Sequence, residues 1–198
     1  MAQSDISRLI DALRCLPGVG PRSAQRMAYH LLQKDKTGAA VLVQSLDRAL
    51  STVRHCTFCN TLTQTEVCDI CLSEKRDRSK LCIVEMPADV VVLEQTRAYS
   101  GLYFVLMGKL SPLDGVGPKE IGFDMLLKKV HETKPSEVII ATSFTSEGEA
   151  TAHYINQLLD EQRVSVKRIA KGLPVGGELE YSDGSAVAQA LRDRVDIE

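Results

Sequence analysis

Tryptophan is absent from the 198-residue sequence, and all aromatic residues together make up only 5% of it. A protein that binds nucleic acid mainly by stacking bases on aromatic side chains needs several such residues on one surface. Any stacking platform here is therefore small. A strong excess of positive charge is also missing, because the formal net charge is −2. This excludes a protein that coats DNA with a uniformly basic surface.

Long apolar runs are missing too. The longest, such as DVVVLE and EVIIAT, have the length of a strand and are too short to cross a bilayer. The first residues, MAQSDISR, lack the positively charged and then apolar layout of a secretory signal. We therefore expect a cytoplasmic protein with no membrane partner, whose six cysteines are thiols or metal ligands rather than disulfides.

Charge is unevenly distributed along the chain. Residues 1–80 contain 12 lysines and arginines against 8 acidic residues, whereas residues 81–198 contain 12 against 18. A basic front half and an acidic rear half indicate two modules with different partners. An excess of this size is also typical of a solvated surface.

The front half predicts three helices. Apolar residues recur at helical spacing over 5–16, 22–33 and roughly 39–53. The segment PGVGP between the first two cannot continue a helix, and Pro21 suits the first turn of the second. The first two helices therefore form a hairpin with a glycine-rich tip.

The tip of this hairpin, LPGVGPRSAQRMA, carries residue types that can hold a phosphate backbone. Gly18 and Gly20 let the main chain turn and approach a phosphate closely, at the start of a helix whose free N–H groups favour an anion. Arg22 and Arg26, one helical turn apart, extend that positive surface. The motif favours sequence-independent DNA binding over its alternative, a helical packing unit with solvated arginines.

Four cysteines form two tight pairs, Cys56-x-x-Cys59 and Cys68-x-x-Cys71. Two such turns supply the tetrahedron of thiolates that Zn²⁺ prefers, and four sulfurs leave no open position for chemistry. The spacing predicts one structural zinc ion per chain. Free thiols or a redox-active pair are the alternatives, and neither explains two pairs at this spacing.

The two remaining cysteines are predicted to be buried. Cys15 falls near the apolar seam of the first helix and Cys82 falls within a strand-like run. Both then act as small apolar residues.

The rear half predicts an α/β domain. Its strand-like runs are LCIVEM, VVVLEQ, YFVLMG, EVIIAT and VSVKRIA, and helical patterns cover 119–131 and 149–160. Strands that alternate with helices indicate a largely parallel sheet covered by helices. A glycine-rich tail with a short helical pattern up to Arg194 follows.

Three glutamates follow two of these predicted strands. Glu85 ends LCIVE, and Glu147 and Glu149 follow EVIIA. Ligands collect at the carboxyl ends of parallel strands, so these carboxylates are expected to lie close together and could hold Mg²⁺. The alternative is that they are surface acids on loops.

A second GVGP lies at 115–118, within LDGVGPKE. Gly108 and Pro112 prevent a leading helix like that of the first copy. We interpret the second copy as a connection within the α/β domain, where Lys109 and Lys119 could contact DNA.

The order of these motifs resembles the bacterial RecR family of recombination mediator proteins. The resemblance runs from about residue 4 to residue 194, and the α/β part is similar to the Toprim fold. It implies a helix-hairpin-helix DNA-binding domain, a zinc finger, a Toprim domain and a C-terminal segment that makes a subunit contact. Their expected limits are 1–53, 54–76, 77–172 and 173–198.

The resemblance also implies a function. RecR-family proteins are non-enzymatic DNA-repair proteins that form tetrameric rings around DNA, either single-stranded, double-stranded or gapped. They act with RecO and RecF to load RecA onto single strands coated by SSB, which implies a cytoplasmic protein associated with the nucleoid during repair.

Particular residues match the family's motifs. By the match, Arg22 and Arg26 fall in the DNA-binding hairpin, and the GLPVGGELEY segment falls on a Walker B-like motif at a subunit contact. The four paired cysteines fall on the zinc ligands. The acidic positions, linked in this family to partner interaction rather than cleavage, are Glu85, Glu147 and Glu149.

The chain departs from these patterns at two places. Catalytic Toprim enzymes carry Asp-x-Asp where this sequence has Glu147-Gly148-Glu149, and RecR-like sequences read Asn-Pro-Thr where it has Ser143-Phe144-Thr145. Two other functions stay open beside the mediator. One is a Mg²⁺-dependent nuclease that uses Glu85 and the Glu147/Glu149 pair, and the other is a zinc-stabilised adaptor for protein contacts.

Overall fold

The computed structural model describes residues 4–162, 164–173, 176 and 178–192. The chain forms two compact units, Met1–Val53 and Arg54–Glu198. Each unit is considered by itself.

The first unit consists of helices, as the sequence predicts. They are α1 (Asp5–Leu13), α2 (Pro21–Gln33) and α3 (Lys36–Thr52). Polar caps begin two of them: the Ser4 side chain accepts a hydrogen bond from the Ser7 N–H, and Asp35 accepts one from Gly38 at 2.7 Å. No helix in the described ranges is both long and apolar enough to span a membrane.

Helix α2 packs against both α1 and α3 and buries two small residues. Ala24 and Ala28 of α2 are fully buried, one turn apart on the same face. The prediction for Cys15 is wrong, because this side chain is exposed. Helix α1 ends at Leu13, so Cys15 lies in the turn beyond it rather than on the apolar face.

A small zinc-finger-like segment begins the second unit. Strand β1 (Arg54–His55) pairs antiparallel with β2 (Leu62–Thr63), and the short helix α4 (Asp69–Leu72) follows. The hairpin and the helix each carry one Cys-x-x-Cys pair.

A four-stranded parallel sheet forms the rest of the second unit, which confirms the predicted fold class. Its strands are β3 (Asp77–Val84), β4 (Gly101–Val105), β5 (Glu137–Ala141) and β6 (Ser165–Arg168), in the order β4-β3-β5-β6. The helices are α5 (Pro87–Thr96), α6 (Phe123–Thr133), α7 (Ser146–Asp160) and α8 (Gly184–Arg192).

Alternation along the strands divides the core between the two faces of the sheet. Leu81 and Ile83 of β3 pack with residues of α6 and α7, whereas Cys82 and Val84 pack with Val90 of α5. The predicted burial of Cys82 is therefore confirmed. Helices cover both faces, as an all-parallel sheet requires.

The run VVVLEQ, predicted as a strand, is part of α5. Three consecutive valines favour a strand in isolation, but Pro87 begins the helix and the Asp89 side chain accepts a hydrogen bond from the Met86 N–H. Strands β3 and β4 are parallel neighbours, so the chain must return along one face of the sheet before β4 begins. Helix α5 forms this crossover connection.

The second GVGP lies between β4 and α6, inside the α/β domain. Pro112–Asp114 forms one turn of 3₁₀ helix, Gly115 takes a left-handed φ of 72°, and Ser111 bridges to Val116. Helix α6 then begins at Phe123, four residues later than predicted. The segment is a closed turn in which a single 3₁₀ turn stands where the first copy has its leading α-helix.

Candidate nucleic-acid interface and metal centre

The glycine-rich turn leaves the start of α2 open. Gly18 has a φ of 76°, which glycine adopts without strain, and Gly20 precedes the helix with no side-chain cap. Pro21 has no N–H to offer, so the free donors of the first turn are the N–H groups that follow it. An anion is the ligand that such a helix start accepts.

Both predicted arginines are exposed beside this turn. Arg22 and Arg26 lie one turn apart on α2, while Ala24 and Ala28 on its other side are buried. The burial of the alanines fixes the face that α2 turns outward. The two guanidinium groups are therefore accessible to an anionic partner.

The structure brings the four predicted zinc ligands together. Their sulfur atoms all lie within 4.8 Å of one another, and each residue is at most 8% exposed. The group consists of Cys56, Cys59, Cys68 and Cys71. It is the one group of three or more metal-ligand side chains found among the described residues.

The spacing of the sulfurs fits zinc. Tetrahedral coordination with Zn–S bonds of about 2.3 Å places sulfurs about 3.8 Å apart, and the Cys59 and Cys68 sulfurs are 3.5 Å apart. Burial opposes ionisation of Cys56, but N–H groups from Cys68, Cys59 and Phe58 outweigh it and lower its pKa to about 7. The cluster therefore offers a thiolate near neutral pH, which is the form that binds metal.

The Cys59 and Cys68 thiols stay protonated without a metal. Burial raises the pKa of Cys68 to about 11. A hydrogen bond with Cys71, together with burial, raises the pKa of Cys59 above its usual range. Zinc binding must therefore displace protons from the cluster.

The finger is bonded to the end of strand β4. The Val105 N–H donates to the Cys59 carbonyl at 2.8 Å, and the Asn60 side-chain amide donates to the Val105 carbonyl at 2.7 Å. Asn60 is buried and has a left-handed φ of 63°, which asparagine tolerates better than most residues. The finger therefore extends the α/β domain instead of hanging from a linker.

Glu85 is held by the loop after β5. Its carboxylate accepts hydrogen bonds from the Ser143 N–H at 2.9 Å and the Ser143 hydroxyl at 3.0 Å. The Ser143 carbonyl in turn accepts from Arg168 at 2.9 Å. Glu85 thus fixes the loop that leads to the other two acids.

Glu147 and Glu149 each have cationic partners. Lys109 lies 3.7 Å from Glu147, whereas Arg168 and Lys171 lie 3.2 and 2.9 Å from Glu149. The backbone N–H of Glu147 itself, with Thr145 and Lys109, lowers the pKa of Glu147. The hydrogen bond from Lys171, with the charge of Arg168, lowers the pKa of Glu149 despite slight burial.

The three glutamates do not come together as metal ligands. They lie at the carboxyl end of the sheet, as expected, but among the described residues they form no group of converging ligand atoms. Each carboxylate is directed at a different partner on the chain. The arrangement is a set of compensated charges.

Sequence reasoning missed the cations of this cluster. Arg168 ends β6 and Lys171 follows it, at the sheet end where the acids lie. Both cations also contact the half-exposed Phe144 ring, with Arg168 at 4.8 Å and Lys171 at 5.1 Å from its centroid. Their position directly after a predicted parallel strand was the signal that could have identified them.

The predicted subunit-contact segment, GLPVGGELEY, is described only in part. Residues 174, 175 and 177 lie outside the described residues, as do 163 and 193–198. The segment ends in the 3₁₀ turn Leu179–Tyr181, and helix α8 follows it.

Comparison with protein families matches almost the whole chain, in four consecutive parts. The matches are the RecR helix-hairpin-helix over residues 6–50, the RecR four-cysteine zinc finger domain over 53–73, the Toprim domain over 79–170 and the RecR C-terminal part over 172–195. The chain belongs to the RecR family. RecR domains in this order give the protein a role in DNA recombination and repair.

The zinc assignment follows from the RecR match and the geometry together. The RecR four-cysteine zinc finger domain covers the segment in which the four buried thiols converge. The chain therefore has one structural zinc ion. When bound, zinc supplies a crosslink between the β1–β2 hairpin and α4, a segment too small to build an apolar core of its own.

Proposed function

We propose that this RecR-family chain is a recombination mediator without catalytic activity, which clamps DNA and acts with RecO and RecF. In this role it helps to load RecA onto SSB-coated single strands at gaps. The observation that carries the proposal is the open start of α2, with Gly18 and Gly20 in the turn before it and the exposed Arg22 and Arg26 along it.

This hairpin is suited to phosphates rather than bases. Free N–H groups at the start of α2 and two arginines one turn apart offer donors and positive charge along a line. Such contacts bind any sequence and weaken as salt rises, because they release counterions from the nucleic acid. A mediator that must act at any gap needs this kind of binding.

One hairpin per chain makes oligomerisation part of the proposal. A single pair of arginines neutralises few phosphates, so a firm hold on DNA needs several copies. Helix α3 supports association, because it exposes a set of apolar side chains. Monomeric proteins rarely expose large apolar patches to water. The exposed apolar side chains of α3 are Val41, Leu42, Val43, Leu46 and Leu50. We propose a tetrameric ring, with 1–53, 54–76, 77–172 and 173–198 as its functional parts.

The acidic cluster fits a docking role better than a cleavage role. A nuclease needs its carboxylates to converge on a metal, whereas Glu147 and Glu149 are paired with cations of the same chain. Exposed pairs of this kind exchange partners at little cost. We propose that Glu85 shapes the loop and that Glu147 and Glu149 contact a basic surface of RecO.

The experiment is a retention assay with labelled gapped duplex DNA at low salt with Mg²⁺. We expect the DNA to be retained intact and to be released as salt increases. Arg22→Ala with Arg26→Ala should weaken binding at least tenfold and reduce the slope of log affinity against log salt by about 2. Lys34→Ala, at the other end of α2, is the matched control and should change little.

Two results would contradict the proposal. Cleavage of the DNA that disappears in Glu85→Gln would identify a nuclease. Failure of the unaltered chain to retain any DNA, with zinc bound, would instead favour the protein adaptor.

A further inference from the structure

Lys129 is a charged residue in a buried position. It lies on the inner side of α6, beside the core residue Val130, and is only 6% exposed. Lysine is among the residues least often buried unless it is paired. Within the described part of the chain no carboxylate lies within salt-bridge distance of its ammonium group.

The ammonium lies beside the first cysteine turn of the zinc centre. Its nitrogen lies 3.8 Å from the centroid of the Phe58 ring, and Phe58 stands between Cys56 and Cys59 in the first cysteine turn. Lys129, Phe58 and Cys56 line one cavity of about 330 Å³, together with Asn60. The bonds from Asn60 and Cys59 to strand β4 hold the finger in this position.

The ring alone does not account for a buried cation. An aromatic face attracts an ammonium through its quadrupole but carries no net charge, whereas a buried charge needs an opposite charge to offset lost hydration. A Zn²⁺ ion bound by four thiolates has about two net negative charges. Among the described residues that line the cavity with Lys129, the one carboxylate, Glu132, is exposed, whereas Cys56 belongs to the buried thiol cluster.

We propose that Lys129 is the counter-ion of the zinc centre: its ammonium, placed over Phe58, offsets the thiolate charge, strengthens zinc binding and fastens the finger to α6. Lys129 is thus a positioning residue outside the set of four cysteines. The inference does not depend on DNA binding or on any partner protein.

The decisive variant is Lys129→Met, which keeps most of the side-chain volume and removes the charge. If the ammonium has no ionic partner, methionine should suit this buried site better, as hydrophobic replacements of buried charges often do. If Lys129 balances the thiolates, zinc should bind less tightly. We expect zinc to transfer at least tenfold faster to an excess of chromogenic chelator, the size of effect that residues supporting metal ligands produce.

Two further variants separate charge from shape. Lys129→Arg keeps the cation over Phe58 and should release zinc within about twofold of the unaltered chain, because guanidinium also stacks on aromatic rings. Lys128→Met removes a neighbouring charge that lines the same cavity but is exposed, and should have no effect. All measurements use the full chain loaded with zinc.

Zinc release from Lys129→Met at the unaltered rate would overturn the proposal. Equal acceleration in Lys129→Arg would do so as well, since it would show that shape alone matters. If Lys129→Met does not fold, Phe58→Leu provides a second test, with a smaller acceleration expected. For Phe58→Leu the thermal midpoint is measured as buffered free zinc is increased. If the midpoint rises as much as it does for the unaltered chain, the proposal is overturned.

Discussion

The zinc centre and the acidic cluster of the Toprim domain both gather side chains that bind metals, yet only one is arranged for a metal. The four thiols converge within 4.8 Å of one another. The glutamates Glu147 and Glu149 are instead directed at Lys109, Arg168 and Lys171. Metal-binding residue types that lie near one another therefore do not by themselves form a metal site. The position of the nearest cations also matters, because it decides how the negative charge is neutralised.

The two regions also differ in burial. Cys56 and Cys59 are each 3% exposed, whereas the side chains of Glu147 and Glu149 are 37% and 42% exposed. Exposed carboxylates are hydrated by water and screened by ions from solution, but buried thiolates are not. Perturbing the first region should therefore have much larger effects.

The largest effect is expected from breaking the zinc centre. Cys68→Ser removes a ligand, and zinc binding contributes ~10 kcal/mol or more to the folding of small zinc motifs. We expect bound zinc to fall from one per chain to nearly none in elemental analysis, with a large drop in the thermal midpoint. Cys15→Ser is the control, because Cys15 is exposed and outside the cluster. A zinc-free unaltered protein would remove the distinction.

The next largest effect concerns the first turn of helix α7, which carries Glu147 and Glu149. A Cβ at Gly148 would lie 2.2 Å from the Ser143 carbonyl oxygen, so Gly148→Ala must displace backbone. We expect destabilisation of about 1–3 kcal/mol in chemical denaturation, as for other overpacked sites. Gly184→Ala, where a Cβ would meet nothing within 4 Å, should be neutral. Equal stability of both variants would show that this turn is loosely built.

A smaller effect is expected from acid. The pKa of Glu149 is lowered in the folded chain, so its contribution to stability is present above the unfolded value of about 4.3 and is lost as pH falls through the folded value. The gap in thermal midpoint between the unaltered chain and Glu149→Gln should therefore close below about pH 4. Glu161→Gln, at the other end of α7, is the comparison. A gap that widens in acid would reverse the assignment.

No effect is expected from magnesium. Because the three glutamates do not converge, millimolar MgCl₂ should leave the thermal midpoint unchanged relative to NaCl of equal ionic strength. A rise that disappears in Glu85→Gln would show that the cluster rearranges into a metal site, and the two regions would then be alike.

The zinc ligands were predictable because their information is local. Each Cys-x-x-Cys pair lies within four residues, and short turns present both sulfurs whatever the rest of the fold does. The glycine turn before α2 was predictable for the same reason. The parallel sheet followed from the alternation of strand-like and helical runs.

The partners of the acids and of the finger were not predictable in this way. Lys109 and Glu147 meet only because β4 and β5 have their carboxyl ends on the same side of the sheet. No spacing in the sequence indicates this contact. Lys129 meets Phe58 across 71 positions. The strand predicted over VVVLEQ was wrong for a related reason. The crossover between parallel strands requires a helix there, which overrides the preference of the valines for a strand.

The bonds between the finger and Val105 have a consequence for solubility. Strand β4 is an edge of the sheet, and both main-chain polar groups of Val105 on its open side are engaged by Cys59 and Asn60. An unpaired edge is a template on which strands of other molecules can add. The finger closes the end of that edge. We therefore expect a chain stripped of zinc to expose it, so that turbidity accompanies metal loss.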